Sequence, residues 1–444
     1  METFGDPVHE RAREWILHHN LKHLHGPGQV EYGPEELVVL CLVRDGEPCI
    51  RSFIEHHFAL GVRHIVFLDN GSNDETLSIA REYDNVTVFR TGLPFKRYRI
   101  AMKRYLISRF GRGRWSLCVD VDELFDYPHS EVVSLELLLR YLNSNSYTAV
   151  VAHMLDMFKD APLSEAANGE DGRLKELYRF YDTSDVIRTD YVASGGSGNT
   201  VSNEEIDFFR GGIQKTIFGH PGTLTKHPLV FFDEDLELMR GSAHWVSGAR
   251  VADFTAVLFH YKFIDRHFQE SAAQAVKNEN RAFNSWRYKM YLQKLEENPG
   301  LRIKQDTSRE LADVNDLVAD HFLVVSGDYM LWVDQRDDRR GAEVLRDRPR
   351  RLVETFSRIR QTTRERVSAT EELEGRVGEL ERELNAELRA SETLEQRNLD
   401  AAARVYKLQA SLEEVRASRS WRLLQSLSRL RKMAGRWSKK GGRG

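Results

Sequence analysis

Between residues 37 and 121, continuous apolar runs alternate with segments of helical period, and this alternation sets the fold. Residues 37–43 (LVVLCLV) form an unbroken apolar run, the pattern of a strand buried on both faces. Glu47–Leu60 follows with Ile50, Phe53, Ile54, His57 and Phe58 on or near one side, and Gly61 is placed to end a helix there. Residues 64–68 (HIVFL) predict a second strand, 73–83 a short helix and 86–89 a third strand. Residues 95–110 predict an Arg- and Lys-rich helix, and 115–121 (WSLCVDV) a fourth strand. Strand and helix in this rhythm imply a parallel, doubly wound α/β sheet. Such sheets bind ligands beyond the carboxyl ends of their strands.

Three of those ends are polar, and they should share one rim. The first carries Arg44-Asp45-Gly46-Glu47, the second Asp69-Asn70-Gly71-Ser72-Asn73-Asp74, and the fourth Asp120-Val121-Asp122-Glu123. Residues two apart in a strand point the same way, so Asp120 and Asp122 are expected on one face. Two such carboxylates repel unless a cation lies between them, and Mg²⁺ or Mn²⁺ takes carboxylates together with substrate phosphates. In the second turn, Asp69 can accept from a base or ribose, Gly71 permits a sharp turn, and Ser72 or Asn73 can cap the next helix. A capped turn alone is the other reading of that segment.

Beyond residue 124 the pattern loosens. Residues 135–142 predict a helix, 147–153 a strand, and 161–212 loops marked by AANGEDG and SGGSGN. Strands are expected near 229–232 and 256–260, and helix through 270–295. Residues 1–35 read as a helical lead-in, 36–345 as the α/β domain and 360–417 as a coiled coil. The coil's seam runs through Leu373, Val377, Leu380, Leu384, Leu394, Val405, Leu408, Leu412 and Val415, and is expected to oligomerise the chain. Residues 418–444 hold nine Lys and Arg and no acid, leaving −13 on the other 417 residues of a chain whose net charge is −4. That balance does not suit a nucleic-acid-binding domain. Trp421, Leu424, Leu427, Leu430, Ala434 and Trp437 line one face of the tail, as in a helix lying on an anionic membrane.

VVLCLVRDGEPCIRSFIEHHFALGVRHIVFLDNGSNDETL, followed by WSLCVDVDELFDYP, resembles glycosyltransferase family 2 and its relatives with the GT-A fold. The similarity is strong over 37–128 and continues weakly to about residue 300 through HMLDMFKDAPL, KHPLVFF and VLFHYKF. The tail resembles those behind the coiled coils of bacterial surface-polysaccharide glycosyltransferases. The resemblance implies a nucleotide-diphosphate sugar donor, a glycan or lipid-linked acceptor, and a Mn²⁺ or Mg²⁺ cofactor. It places Arg44 and Glu47 at the donor's edge and Asp69, with Asn70 and Ser72, against base or ribose. Asp120 faces ribose or metal, and Asp122 binds metal. His260 completes the metal shell, with His244 as its rival. Where the family has Asn-Glu, this chain has Asp45-Gly46-Glu47. Lys215 and Arg210 are candidates to face the diphosphate. Inversion needs a carboxylate base, and Asp156, Asp233 and Glu234 are the candidates.

Other signatures are missing. The sequence has no Walker loop, nucleophile elbow, His-Glu-x-x-His or paired-Cys zinc spacing, and no run of about 18 apolar residues. Cys41, Cys49 and Cys118 are an odd number, which argues against a disulfide scaffold. No signal peptide is evident at the start, so a cytoplasmic protein is expected, its tail at the inner membrane face. A sugar nucleotidyltransferase, for which VRDGEP is a poor phosphate loop, and a non-catalytic nucleotide-sugar scaffold are the alternatives.

Overall fold

Four of the apolar runs pair as parallel strands in a computed structural model that describes residues 7–336. Residues 165–173, 195–197, 234–236 and 239–244 are excepted, as are 265–284 apart from 268, 270, 272, 273, 276 and 277. The expected coiled coil (360–417) and basic tail (418–444), and Glu234 and His244, lie outside the described residues. Every described residue belongs to the first of the chain's two units, Met1–Glu343.

A lead-in helix α1 (Pro7–His19) precedes β1 (Lys22–His25). The alternating unit is β2 (Val38–Val43), α2 (Glu47–Leu60), β3 (His64–Asp69), α3 (Thr76–Ala80), β4 (Val86–Arg90), α4 (Phe95–Leu106) and β5 (Trp115–Cys118). Strands β4, β3, β2 and β5 lie side by side in that order, all parallel. Alternate residues of β2 serve opposite faces. Val39, Cys41 and Val43 pack with Cys49, Ile50, Phe53 and Ile54 of α2, while Val38 and Leu40 pack with Ala101, Met102 and Leu106 of α4. Each large apolar side chain so buried contributes about 1.5–3 kcal/mol. Gly61, at φ 105°, ends α2 in the left-handed region that a Cβ disfavours. The lead-in is more than helical, because β1 pairs antiparallel with β4 and closes that edge of the sheet.

The remaining described elements are β6 (Glu123–Asp126), α5 (Leu135–Ser144), β7 (Ala149–Asp156), α6 (Leu174–Leu177), β8 (Phe180–Tyr181), β9 (Val186–Asp190), α7 (Tyr191–Ser194) and β10 (Thr200–Val201). They continue with β11 (Asp207–Gly211), α8 (Ile213–Phe218), β12 (Thr225–Phe231), β13 (Glu237–Leu238), β14 (Val246–Ser247) and β15 (Arg250–His260). Last come α9 (Ser285–Glu297), β16 (Arg309–Glu310), α10 (Asp316–Ala319) and α11 (Gly327–Asp334). The sheet runs on from β5 through β12, β7 and β15 to β10, and β6 also pairs with β15. Strand β12 is antiparallel to both β5 and β7, so the sheet is mixed rather than wholly parallel. The fourth strand ends at Cys118, short of the expected Val121, and Asp120-Val121-Asp122 forms a turn into β6. Among the described residues, no helix is long and apolar enough to cross a membrane.

Candidate active site

Parallel pairing of β2, β3 and β5 brings their carboxyl ends to one rim, as expected. The first two turns there are stitched together. Asp45 N–H donates to Ser72 Oγ (2.9 Å), Gly46 N–H to Thr76 Oγ1 (2.8 Å), and Asn73 N–H to Asp45 Oδ1 (2.8 Å). Glu47 N–H donates to Asp74 Oδ2 (3.1 Å), while Glu47 Oε2 accepts from Glu75 N–H (3.2 Å). Asp69 is fully buried. Its carboxylate accepts from the N–H groups of Gly71 (3.1 Å) and Ser72 (3.0 Å) and from the Ser72 hydroxyl, and it pairs with Arg90 Nε at 3.2 Å. Asn70 Nδ2 donates to the carbonyls of Thr91 (3.2 Å) and Leu93 (2.8 Å). Gly71 takes φ 88°, the backbone role expected of it. Arg44 stands exposed, its Nε 3.3 Å from Asp45 Oδ2.

The third turn is built differently. Register places Glu123 of β6 opposite His260 of β15, and His260 opposite Asp156 of β7. Three titratable side chains therefore sit abreast on adjacent strands. Asp122, one residue before β6, reaches His260 Nε2 with Oδ2 at 3.3 Å. Among the described residues, Asp122, Glu123 and His260 form a group whose ligand atoms all lie within 4.8 Å of one another. Asp120 stands beside it, 3.8 Å from Lys103 Nζ and 3.4 Å from Lys226 Nζ. Lys226 also pairs with Glu123 Oε1, and Glu123 Oε2 accepts from Asp120 N–H at 3.1 Å.

Behind the imidazole, Asp156 Oδ1 meets His260 Nδ1 at 2.5 Å. Gln214 Nε2 of α8 donates to both Asp156 oxygens, at 3.2 and 2.9 Å. Lys262 Nζ donates to Gln214 Oε1 (3.3 Å) and to the Tyr291 hydroxyl of α9 (3.2 Å). Tyr288, also on α9, lies within electrostatic reach of Asp122 and Asp120.

The charges set one another. Burial opposes the His260 cation, but Asp122 and Asp156 outweigh it, and its pKa is pushed up to about 10. Burial likewise opposes ionisation of Asp122, yet His260 holds it below the usual carboxylate range. For Glu123 burial wins and pushes the carboxyl up, even against Lys226. Lys226 is raised above its ordinary value because Glu123 and Asp120 more than offset its burial. Lys262 is lowered to about 8 by burial, which Asp156 only partly opposes.

Of the sequence candidates, the structure brings together Asp120, Asp122, His260 and Asp156. Asp233 is not among them. Strand β12 runs antiparallel to β5, so the residues after it fall at the opposite rim, where Asp233 meets Arg250 at 3.4 Å. The apolar run at 229–232 does not reveal which way its strand points. Lys215 is held by Asp185 at 2.6 Å, and Arg210 lies over the Phe208 ring at 5.2 Å. The sequence reading did not single out Glu123, Lys226, Gln214, Lys262, Tyr288 or Tyr291. The signal for Lys226 was its place at the start of KHPLVFF, the end of β12 that meets the carboxylates.

No family and no curated protein matches the sequence. Similar solved structures include a mycobacterial protein, 24% identical, with a TM-score of 0.20 over 27% of this chain and 41% of that one. Glucosyl-3-phosphoglycerate synthase from Mycobacterium tuberculosis, in complex with Mn²⁺, uridine diphosphate and glucosyl-3-phosphoglycerate, is 20% identical, with a TM-score of 0.18 over 27% of this chain and 44% of that one. A 4-diphosphocytidyl-2C-methyl-D-erythritol synthase is 10% identical, with a TM-score of 0.20 over 30% of this chain and 65% of that one. This chain spans less than half the length of the first two. At these TM-scores the likenesses carry no argument for function.

Proposed function

We propose that this chain is a divalent-metal-dependent glycosyltransferase of GT-A type. It moves a sugar from a nucleotide-diphosphate donor to a glycan or lipid-linked acceptor in cell-surface polysaccharide synthesis. The observation that carries this reading is the Asp122–His260 pair, its donor atoms 3.3 Å apart at the strand ends. Two ligands of one cation with bonds of about 2.1 Å stand at about that separation. Asp156 behind the imidazole completes the carboxylate–histidine arrangement that orients metal-binding histidines.

The residues present fit Mn²⁺ or Mg²⁺. Asp122 and His260 are the ligands, with Glu123 within reach once Lys226 yields it, and the nitrogen donor favours Mn²⁺. Such a cation neutralises the charge developing on a departing diphosphate. Asp120 takes the ribose, and Lys103 and Lys226 orient its carboxylate. Arg44, Glu47 and Asn70 lie along the nucleoside's edge, and Asp69 and Ser72 act through the turn they shape. Lys215 remains a candidate diphosphate contact if Asp185 releases it. Asp156 is assigned as the positioning residue for His260, because its oxygens are committed to His260 and Gln214. The coil oligomerises the chain, and the basic tail holds it at the inner membrane face.

The test is thermal stabilisation of the full-length protein by a panel of nucleoside diphosphates and nucleotide-sugars, with and without Mn²⁺. A shift for one nucleotide that needs Mn²⁺ and disappears in Asp122→Ala supports the reading. No shift with any nucleotide, in folded protein, overturns it.

A further inference from the structure

A second polar group lies beside the carboxylates and carries the opposite charge. Lys262, two residues past His260, Arg287 near the start of α9 and His220 just after α8 lie within electrostatic reach of one another. Arg287 reaches the Tyr291 hydroxyl, which Lys262 Nζ meets at 3.2 Å. His220 Nε2 and Arg287 Nε are buried and have no hydrogen-bond partner. Buried polar atoms without partners are rare, because each forfeits the hydrogen bonds it made to water, and Arg287 Nε always carries a hydrogen to donate. Trp286 borders the group. It is half exposed and stands edge-on to His220, with ring centroids 5.1 Å apart.

Position separates this group from the nucleoside's place. The turns after β2 and β3 lie on one side of β5, while β12, β7 and β15 lie on the other. A donor spread over β2 and β3, with its diphosphate at Asp122, leaves the β7–β15 side to the second substrate. Lys262, Arg287 and His220 stand there, with α8 and α9.

We propose that Lys262, Arg287 and His220 form an oxyanion subsite for the acceptor, which carries a phosphate or carboxylate beside the hydroxyl that takes the sugar. Trp286 supplies an apolar wall for the acceptor's carbon face. The proposal rests on the glycosyltransferase reading for the word acceptor, and on the cationic group alone for the oxyanion. Gln214 joins the two sites, since it contacts Asp156 on one side and Lys262 on the other.

Calorimetric titration of the full-length protein tests this, with and without Mn²⁺ and the panel of nucleoside diphosphates. Glycerol 3-phosphate and glucuronate are the anionic probes, and glycerol and methyl glucoside their neutral counterparts. The expected result is that an anionic probe binds, its neutral counterpart does not, and Arg287→Ala weakens it about tenfold, the value of a charged hydrogen bond. Arg287→Lys should recover part of that loss. Asp122→Ala should remove metal-linked nucleoside diphosphate binding and spare the probe. Equal binding of neutral and anionic probes overturns the proposal. So does an Arg287→Ala variant that loses nucleoside diphosphate and probe alike, because the cations then serve the donor. Anionic probes that bind while no nucleoside diphosphate does would overturn the transferase reading and leave the oxyanion subsite standing.

Discussion

Two polar regions share one rim of the sheet, and they satisfy their acids in different proportions from their own turn and from remote cations. In the turn after β3, Asp69 is fully buried and satisfied by the backbone and hydroxyl of its own turn and by Arg90. After β5, Asp120 and Glu123 are neutralised by long cationic side chains from other elements, Lys103 and Lys226. Apart from Arg90 of β4, the first arrangement is local, and it holds a shape. The second joins remote parts of the chain, and its partners can be exchanged for a metal ion or substrate. Local satisfaction suits a rim that presents a nucleoside, and exchangeable charge suits a centre where charge moves.

Breaking the exchangeable region should have the larger effects. Lys226→Met leaves buried Glu123 without its cation and Asp120 with Lys103 alone, and loss of one partner of a buried pair costs about 3–5 kcal/mol. Urea denaturation of the metal-free variant should read that loss, and Lys226→Met/Glu123→Gln should recover much of it. Recovery would mark the pair as replaceable, and its absence would give Lys226 a further structural role. Asp122→Ala should lower transfer by more than about a hundredfold, since even partners behind a metal ligand cost about 10–100-fold. Asp156→Asn should fall within that 10–100-fold range and act through metal affinity, so raising Mn²⁺ should restore the rate.

The same region should respond to pH. His260 has a folded pKa of about 10, above its ordinary 6.5. Its protonation therefore stabilises the metal-free fold fully below about pH 6.5, and this is lost as pH rises through about 10. A cation must displace that proton. Apparent Mn²⁺ affinity should rise with pH by up to about tenfold per unit over the same window. A flat titration would remove His260 from the ligand set.

The difference between the regions also decides what could be read in advance. Asp69, Gly71 and Ser72 lie within four consecutive positions, and local turn chemistry exposes them in the sequence. Asp120 and Asp122 were legible too, although the turn into β6 brings them to the site, not a shared strand face. His260 came from the resemblance to the GT-A family, and Asp156 from its place just beyond an expected strand. Lys226 was passed over and Asp233 singled out for one reason. Strand direction is not written in periodicity, and the reversal of β12 exchanges which end of KHPLVFF meets the carboxylates. Gln214, Lys262 and Tyr291 depend on how α8 and α9 dock, which no local pattern encodes.

Thr76 offers the smallest perturbation and the sharpest check on the local region. Its side chain is buried, and its hydroxyl accepts from Gly46 N–H at 2.8 Å while donating to Asp74 Oδ1 at 2.5 Å. That one hydroxyl ties the turn after β2 to the turn after β3. Valine keeps the shape and removes both bonds, leaving the buried Gly46 N–H without an acceptor, so Thr76→Val should cost about 1–3 kcal/mol of unfolding free energy. Because the other ties between the two turns remain, the loss should stay local. Hydrogen exchange should quicken at Gly46 and its neighbours and remain unchanged across β7 and β15. If Thr76→Val instead altered exchange at Asp156 or His260, the two regions would be coupled, and the contrast between local and exchangeable neutralisation would fail.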